Sequence, residues 1–337
     1  MRSGILLVAS LSLLPVGRTG SNEDTGAAAG PAASLQNYPS KAVRIVEPFG
    51  AGGGPDLLAR ALAPRLSELW GQTVTVENIT GAGATAGPAQ VAHSPSDGYT
   101  LLINTSAQAY SAAMSKNLPY DPLKDFVPVI ALTSQPYVLV AGKSAGVTTV
   151  GELIAAARAK PGELKFGSTG IGTATHVGAL KVNQAAGIEA SHAPPLPTDS
   201  NADLIANLIG GRIAYSISPI SLALPAINDG RLVALGVTTV RRSTLLPDVP
   251  TLAEAGLAGF DFPIWYGIWV RAGTPAGLVD KLAKSIGGLL AGRELREWMA
   301  RDGGEPMNMT QPEFARFVLS ESDAAARAIR ADTIKPR

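Results

Sequence analysis

Phe49-Gly50-Ala51-Gly52-Gly53-Gly54-Pro55-Asp56 is the stretch whose surroundings decide the fold. It follows an apolar run at 43–49 (VRIVEPF) and precedes a segment in which Leu57, Leu58, Ala61, Leu62, Leu66 and Leu69 recur at helical spacing. The pattern predicts a strand, a glycine loop and a helix over 55–70. Pro55 suits a first helical position, whereas Pro64 predicts a kink. Such a junction turns several backbone N–H groups toward one point at the positive end of a helix dipole, so it can hold an anion without a cationic side chain. The same glycines also suit a turn that needs only their geometry. A dinucleotide site is the sharper rival, since Gly50-x-Gly52 follows a strand and Glu77 closes the next one. The third glycine of that fingerprint, however, falls on Pro55.

Outward from this junction, 73–77 reads as a second strand and 100–104 as a third, after the turn Ser96-Asp97-Gly98. Apolar strands follow at 126–132 and 136–141, then a helix over 149–159 opened by the capping box Thr149-x-x-Glu152. A second strand–loop–helix unit starts at 164–167, with its helix over 175–186. Further strands read at 213–217, 232–238 and 264–270, and an amphipathic helix at 278–290. Thr251-x-x-Glu254 and Thr310-x-x-Glu313 mark two more helix starts. Strands alternating with helices predict an α/β fold of parallel strands and crossovers, with any ligand at the carboxyl ends of the strands. Two βα lobes, each with its own glycine-rich turn, are the economical arrangement.

The second turn, Gly167-Ser168-Thr169-Gly170-Ile171-Gly172-Thr173-Ala174-Thr175-His176, places hydroxyls and glycines ahead of a helix N-terminus, which again suits an oxyanion. His176, in the first helical turn, reads as a structural histidine ahead of a ligand or base. Gly142-Lys143-Ser144 lacks the first glycine of a phosphate loop, which falls on Tyr137. Gly142-Lys143-Ser144-Ala145-Gly146 spells a nucleophile elbow, but Val147-Thr148-Thr149 delays the helix that must follow Ser144. Asn78-Ile79-Thr80 and Asn104-Thr105-Ser106 are sequons by spelling only. Tyr110, Tyr120, Trp265 and Tyr266 are candidate cleft linings, with core packing the plainer reading.

Composition bounds the chemistry. The 337 residues hold no Cys and three His, which excludes disulfides, thiolate metal sites and Cys nucleophiles and argues against a His-based metal centre. Twenty-eight basic against 27 acidic residues leave +1, which excludes the broad basic field that nucleic acid or an anionic membrane would need. Apolar residues at 46% fit a globular protein, and 337 residues predict two domains. Gly 37 and Pro 25 make the chain loop-rich. Residues 4–16 (GILLVASLSLLPV) after Met1-Arg2 have the form of a secretory signal, too short to span a bilayer. The small-residue stretch behind them reads as a flexible leader, so 1–37 is predicted to be export signal and leader. Without a Cys there is no lipid anchor.

Taken in order, several short motifs resemble one family, the extracytoplasmic solute-binding receptors of tripartite tricarboxylate transporters, also called the Bordetella uptake type. They are Tyr38-Pro39-Ser40-Lys41, Pro48-Phe49 with Gly52-Gly53-Gly54-Pro55-Asp56, Glu77-Asn78 with Gly81-Ala82-Gly83, and Asp97-Gly98-Tyr99-Thr100-Leu101-Leu102. Leu118-Pro119-Tyr120-Asp121-Pro122, the second glycine turn through His176, Leu246-Pro247-Asp248-Val249-Pro250-Thr251 and Ala272-Gly273-Thr274-Pro275 complete the series. The resemblance implies a two-lobed Venus-flytrap fold, type II-like, with a hinge of crossing strands near 136–141 and 232–238. Lobe one would comprise 38–137 and 239–337, and lobe two 138–238.

It further implies a periplasmic, monomeric receptor without catalysis or cofactor, which passes a small carboxylate (a di- or tricarboxylate, amino acid or aromatic acid) to membrane permease subunits. The ligand set it implies is Phe49, Gly50, Ala51, Gly52, Gly53, Asp56, Ser106, Ser168, Thr169, Gly172, Thr173, Ala174, His176 and Ser218, with Asp56 either fixing the first loop or meeting a ligand donor. The chain departs from the family pattern at Gln108, Ser111-Ala112, Leu180, Ala214 or Ser218, and Pro194-Pro195-Leu196-Pro197 after His192. Those departures fall on groups shaping the far end of the ligand. They motivate an alternative, a receptor fold used as a sensor or protein-interaction module; an enzyme built on Ser144 is the third reading.

Overall fold

The computed structural model describes residues 37–81, 83–114, 117–189, 193, 195–301 and 303–330. The predicted export signal, together with His192 and Pro194, lies outside these residues. β1 (Val43–Glu47) leads through the first glycine loop into α1 (Gly54–Trp70), then β2 (Val74–Asn78), α2 (Ala86–Ala92), β3 (Thr100–Thr105) and α3 (Ala107–Met114). β4 (Phe126–Gln135) and β5 (Tyr137–Gly142) follow with only Pro136 between them. Then come α4 (Val150–Ala159), β6 (Phe166–Ser168), α5 (Ala174–Ala185), β7 (Pro195–Pro197), α6 (Asn201–Ile209), β8 (Tyr215–Pro219), α7 (Ile220–Asn228) and β9 (Leu232–Val237). β10 (Ile264–Arg271), α8 (Ala276–Ala291), α9 (Arg293–Arg301), β11 (Glu305–Pro306) and α10 (Gln311–Arg330) complete the chain.

The strands form two sheets, in the orders β11-β4-β10-β3-β1-β2 and β7-β6-β8-β5-β9. β1 pairs in parallel with β2 and β3, and β6 in parallel with β7 and β8, as βα crossovers require. Beside these parallel pairs, β10 runs antiparallel to both β3 and β4, and β5 antiparallel to both β8 and β9. The physical reason is connectivity. β5 enters the second sheet directly from β4 across a single proline, and β10 returns to the first sheet from β9, so neither arrives through a helical crossover. The two passages are stitched to each other: Thr238 N donates to Tyr137 O at 2.9 Å, and Tyr137 N donates to Thr238 Oγ1 at 2.9 Å.

Each sheet has its own core. β10, with Trp265 and Trp269 at 1% exposure, packs on Phe314 of α10, while Val138, Val140, Leu204, Leu208, Ile213 and Leu232 fill the second sheet's α6–α7 side. Trp265 is thereby a core residue, its Nε1 donating to Glu321, to which Tyr110 also donates. Tyr120 is buried edge-on against Phe126.

α1 runs unbroken through Pro64. The helix expected after Thr251 is a single turn. Its capping box forms, with Thr251 N donating to Glu254 at 2.8 Å and Glu254 N to Thr251 Oγ1 at 3.0 Å, but Gly256 at φ 107° ends it at once. α2, α3, α6, α7 and α9 were not read from the sequence. The first two are only 7 and 8 residues long, too short for a periodicity to declare itself.

Candidate functional site

The first glycine loop is shaped from beneath by a cluster of four polar side chains. Glu47, the last residue of β1, has no exposed surface, and its carboxylate accepts from Phe49 N, Gly50 N and Asn78 Nδ2, each at 2.9 Å. Asn78, at the end of the neighbouring strand β2, uses the second hydrogen of the same amide on Asp56 at 2.8 Å and accepts from Arg60 at 2.8 Å. Asp56, in the first turn of α1, takes Gly52 N at 2.9 Å and Arg60 Nε at 3.0 Å. Burial opposes ionisation of Asp56, but the Arg60 guanidinium, the Gly52 amide and the Asn78 amide together hold its carboxyl below the ordinary range. Glu47 goes the other way. Desolvation outweighs its Asn78 and amide hydrogen bonds, and the nearby Asp56 charge adds to it, raising its pKa to about 7.

Three of the loop's amides (Phe49, Gly50 and Gly52) are therefore already committed to carboxylates of the protein. Gly52 adopts φ 82°, which lets the chain turn back over Asp56. Ahead of α1, Gly53 is the N-cap and contributes no side-chain cap, so no capping side chain takes the amides of the helix start. Glu77, the residue that a ribose-binding role needed, is half-exposed and ion-paired with Arg44 at 3.2 Å.

The second loop is held by hydroxyls rather than carboxylates. Thr175 Oγ1 accepts from Thr169 N at 3.0 Å and lies 3.1 and 3.0 Å from the hydroxyls of Thr169 and Thr173. Thr173 donates to Gly170 O at 2.7 Å and, as N-cap of α5, accepts from His176 N at 3.4 Å. All three threonines are at or below 5% exposure. The His176 ring is buried against Phe166, with Gly172 N pointing at its Nδ1 from 3.4 Å, so it braces the loop.

The two loops face each other across a cleft of some 230 Å3, part of it continuous with solvent. From the first sheet's side Phe49, Pro55 and Thr105 line it; from the other come Thr169, Thr173, Ala174 and Thr175. Tyr137 lines it at the crossing, and Asn201 from the start of α6. None of these side chains carries a charge at neutral pH. Three helices, α1, α5 and α6, begin at or beside this lining, capped by Gly53, Thr173 and Ser200. Their dipoles put partial positive charge around an otherwise neutral, hydroxyl-rich space.

The second loop also touches the loop after β2 and helix α3. A Cβ on Gly170 (φ 131°) would lie 2.5 Å from Gly83 Cα, and one on Gly172 would lie 3.3 Å from Ser111 Cα. Only a residue without a side chain fits at 170 while the loop after β2 stays where it is.

Of the residues singled out from sequence, Phe49, Thr169, Thr173 and Ala174 line the cleft. Gly50, Gly52 and Asp56 form the underpinning of the first loop, Gly53 lies against Asn201, and Ala51 is exposed. Ser168 is buried in β6, its carbonyl accepting from Thr198 N at 2.7 Å. Ser106 and Ser218, at the ends of β3 and β8, are fully buried, and the Ser218 hydroxyl is without a hydrogen-bond partner among the described residues.

Sequence reasoning missed Pro55, Thr105, Tyr137, Thr175 and Asn201 as lining residues. Asn201 had a visible signal. Ser200-x-x-Asp203 is a helix start of the kind used elsewhere, and Asp203 N does donate to Ser200 Oγ at 3.1 Å. Asn78 had none, because its role depends on β1 and β2 lying side by side. The departures at Gln108 and 195–197 are absorbed structurally. Gln108 bonds Asn104 and Pro122 O, and Pro195–Pro197 forms an edge strand, where missing N–H groups are tolerated. Among the described residues there is no group of three potential metal ligands, and no helix is long and apolar enough to cross a membrane.

Residues 58–334 match the family described as the tripartite tricarboxylate transporter family receptor. Protein BugT of Bordetella pertussis is 32% identical over 301 residues, covering 88% of this chain and 91% of its own. Among solved structures, Rpa4515 of R. palustris with adipate superposes with a TM-score of 0.81 at 31% identity, over 87% of this chain and 97% of that one. MatC from Rhodopseudomonas palustris with bound malate gives 0.80 at 28%, over 87% and 100%. The architecture is thus the two-lobed fold of periplasmic binding proteins, and its neighbours are binding proteins rather than enzymes. By the family match over most of its length and by relatives of this similarity, the chain belongs to the tripartite tricarboxylate transporter receptor family.

Proposed function

We propose that this protein is a periplasmic receptor that captures a small organic carboxylate in the cleft between its two loops and delivers it to membrane permease subunits. The observation that carries the reading is the lining itself: three helix N-termini around an uncharged space rich in threonine hydroxyls. Such a space suits one small anion and repels none of its charge, while a polyanion would not fit. Adipate in one structural neighbour and malate in another support the same ligand class.

The uncapped amides of the α1 start and the hydroxyls of the Thr169–Thr175 loop grip the carboxylate, each from its own lobe. Lobe one is 38–137 with 239–337, and lobe two is 138–238. Closure is a hinge at the paired Tyr137 and Thr238 passages, favoured by the ligand because only the closed state offers both loops at once. Residues 4–16 direct export, and the receptor works as a monomer without a cofactor. Thermal unfolding with mono-, di- and tricarboxylates, amino acids and aromatic acids tests the reading. At least one carboxylate raises Tm in proportion to the logarithm of its concentration. A flat response to every one contradicts it.

A further inference from the structure

One side chain at the cleft bears on a finer feature of the ligand, on the footing that the cleft takes a carboxylate as proposed above. Asn201 opens α6 one residue after its cap. It is 7% exposed, it lines the cleft, and its Oδ1 is buried with no hydrogen-bond partner among the described residues. Its Nδ2 faces Gly53 across the cleft, 3.3 Å from where a Cβ would stand there. The helix needs nothing from this carboxamide, because Ser200 already caps α6 through Asp203 N at 3.1 Å. A buried acceptor left empty is costly, and proteins rarely keep one without a donor that arrives with a ligand.

The donor's charge follows from the neighbours. No side chain lining the cleft is charged, and the nearby carboxylates of Glu47 and Asp56 are turned away onto the first loop's amides and Arg60. An ammonium group would be desolvated there without a counter-charge, whereas a hydroxyl would not. The small size of the cleft keeps that hydroxyl close to the carboxylate gripped by the Thr169–Thr175 loop. We infer that Asn201 is a specificity-determining residue that accepts a hydrogen bond from a ligand hydroxyl, so that the receptor selects 2-hydroxycarboxylates over their unsubstituted and 2-amino counterparts.

The test is calorimetric titration of the full chain with matched series: succinate, malate and aspartate; glutarate, 2-hydroxyglutarate and glutamate; phenylacetate, mandelate and phenylglycine. In at least one series the hydroxy acid binds about tenfold more tightly than the unsubstituted acid, the size of one neutral hydrogen bond. Asn201→Ala brings the two within about twofold of each other, a ratio within one protein in which any change common to both acids cancels, and a cooperative thermal unfolding transition reports that the variant is folded. The inference is overturned if the hydroxyl gives no gain in any series that binds, if the gain survives in Asn201→Ala, or if the amino acid binds best. If no acid of any series binds, it is the carboxylate reading itself that has failed.

Discussion

Replacing Glu47 by glutamine isolates the most unusual electrostatic feature of the first loop. Glu47 is without exposed surface, and its pKa rises from 4.5 to about 7, chiefly by desolvation. That displacement corresponds to about 3 kcal/mol. Between pH 4.5 and 7 the native protein holds a proton that the unfolded chain has released. Stability therefore falls as pH rises through this window, with the penalty absent below it and complete above it. Glutamine is neutral throughout. It also places an NH2 opposite Phe49 N or Gly50 N, leaving one amide short of an acceptor, a loss of about 1–3 kcal/mol that does not vary with pH.

The informative quantity is consequently the difference between the two proteins, not either one alone. Urea unfolding from pH 4.5 to 8 is expected to shift that difference by about 3 kcal/mol in favour of Glu47→Gln. Asp56, whose carboxyl is held low, contributes stability that is lost only as pH falls below the usual aspartate range, outside the window. Parallel pH profiles for the two proteins would refute the reasoning, since the titration would then belong to another group.

Four further substitutions probe the loops. Gly170→Ala puts a Cβ 2.5 Å from Gly83 Cα, so the facing loops must part by about 1 Å; ligand affinity by calorimetry is expected to fall at least about tenfold, whereas Gly83→Ala, whose Cβ meets Gly170 Cα at an ordinary 3.5 Å, loses much less. Asp56→Asn breaks the Arg60 pair and sets an NH2 against the Asn78 amide; unfolding at pH 7 is expected to show a loss of about 1–3 kcal/mol that shrinks as pH drops toward 3. Thr175→Val keeps the shape of the second loop but leaves Thr169 N unbonded, which is expected to lower stability by about 1–3 kcal/mol in urea unfolding and weaken ligand binding with it.

The reach of the sequence is visible in particular residues. The strand–loop–helix junctions at 43–70 and 164–186 were legible because glycines and apolar spacing agree at both, with a helix-start proline at the first. The antiparallel direction of β5 and β10 was not, since nothing local distinguishes a strand that crosses between sheets from one that follows a helix. Phe49, Thr169, Thr173 and Ala174 could be placed at the cleft because they lie on those junctions. The burial of Glu47 was not legible either, because only the pairing of β1 with β2 brings Asn78 against its carboxylate. Tyr137 reaches the lining from the passage between sheets and Thr105 from the end of β3, a long-range relation that no spacing encodes. Tyr110 and Trp265 drew notice as aromatics, yet both turn to Glu321 of the last long helix, which lies more than fifty residues away in sequence.

The central claim is that the cleft grips a carboxylate group between the α1 start and the threonine loop. Its most direct test is a competition titration of one bound acid against its own methyl ester, which keeps the carbon skeleton and removes the negative charge. The acid is expected to bind one to one and the ester at least about a hundredfold more weakly, as the loss of a charge-assisted grip from two loops implies. Equal binding of acid and ester would show that the helix N-termini and hydroxyls around the cleft do not hold an anion, and would contradict the account.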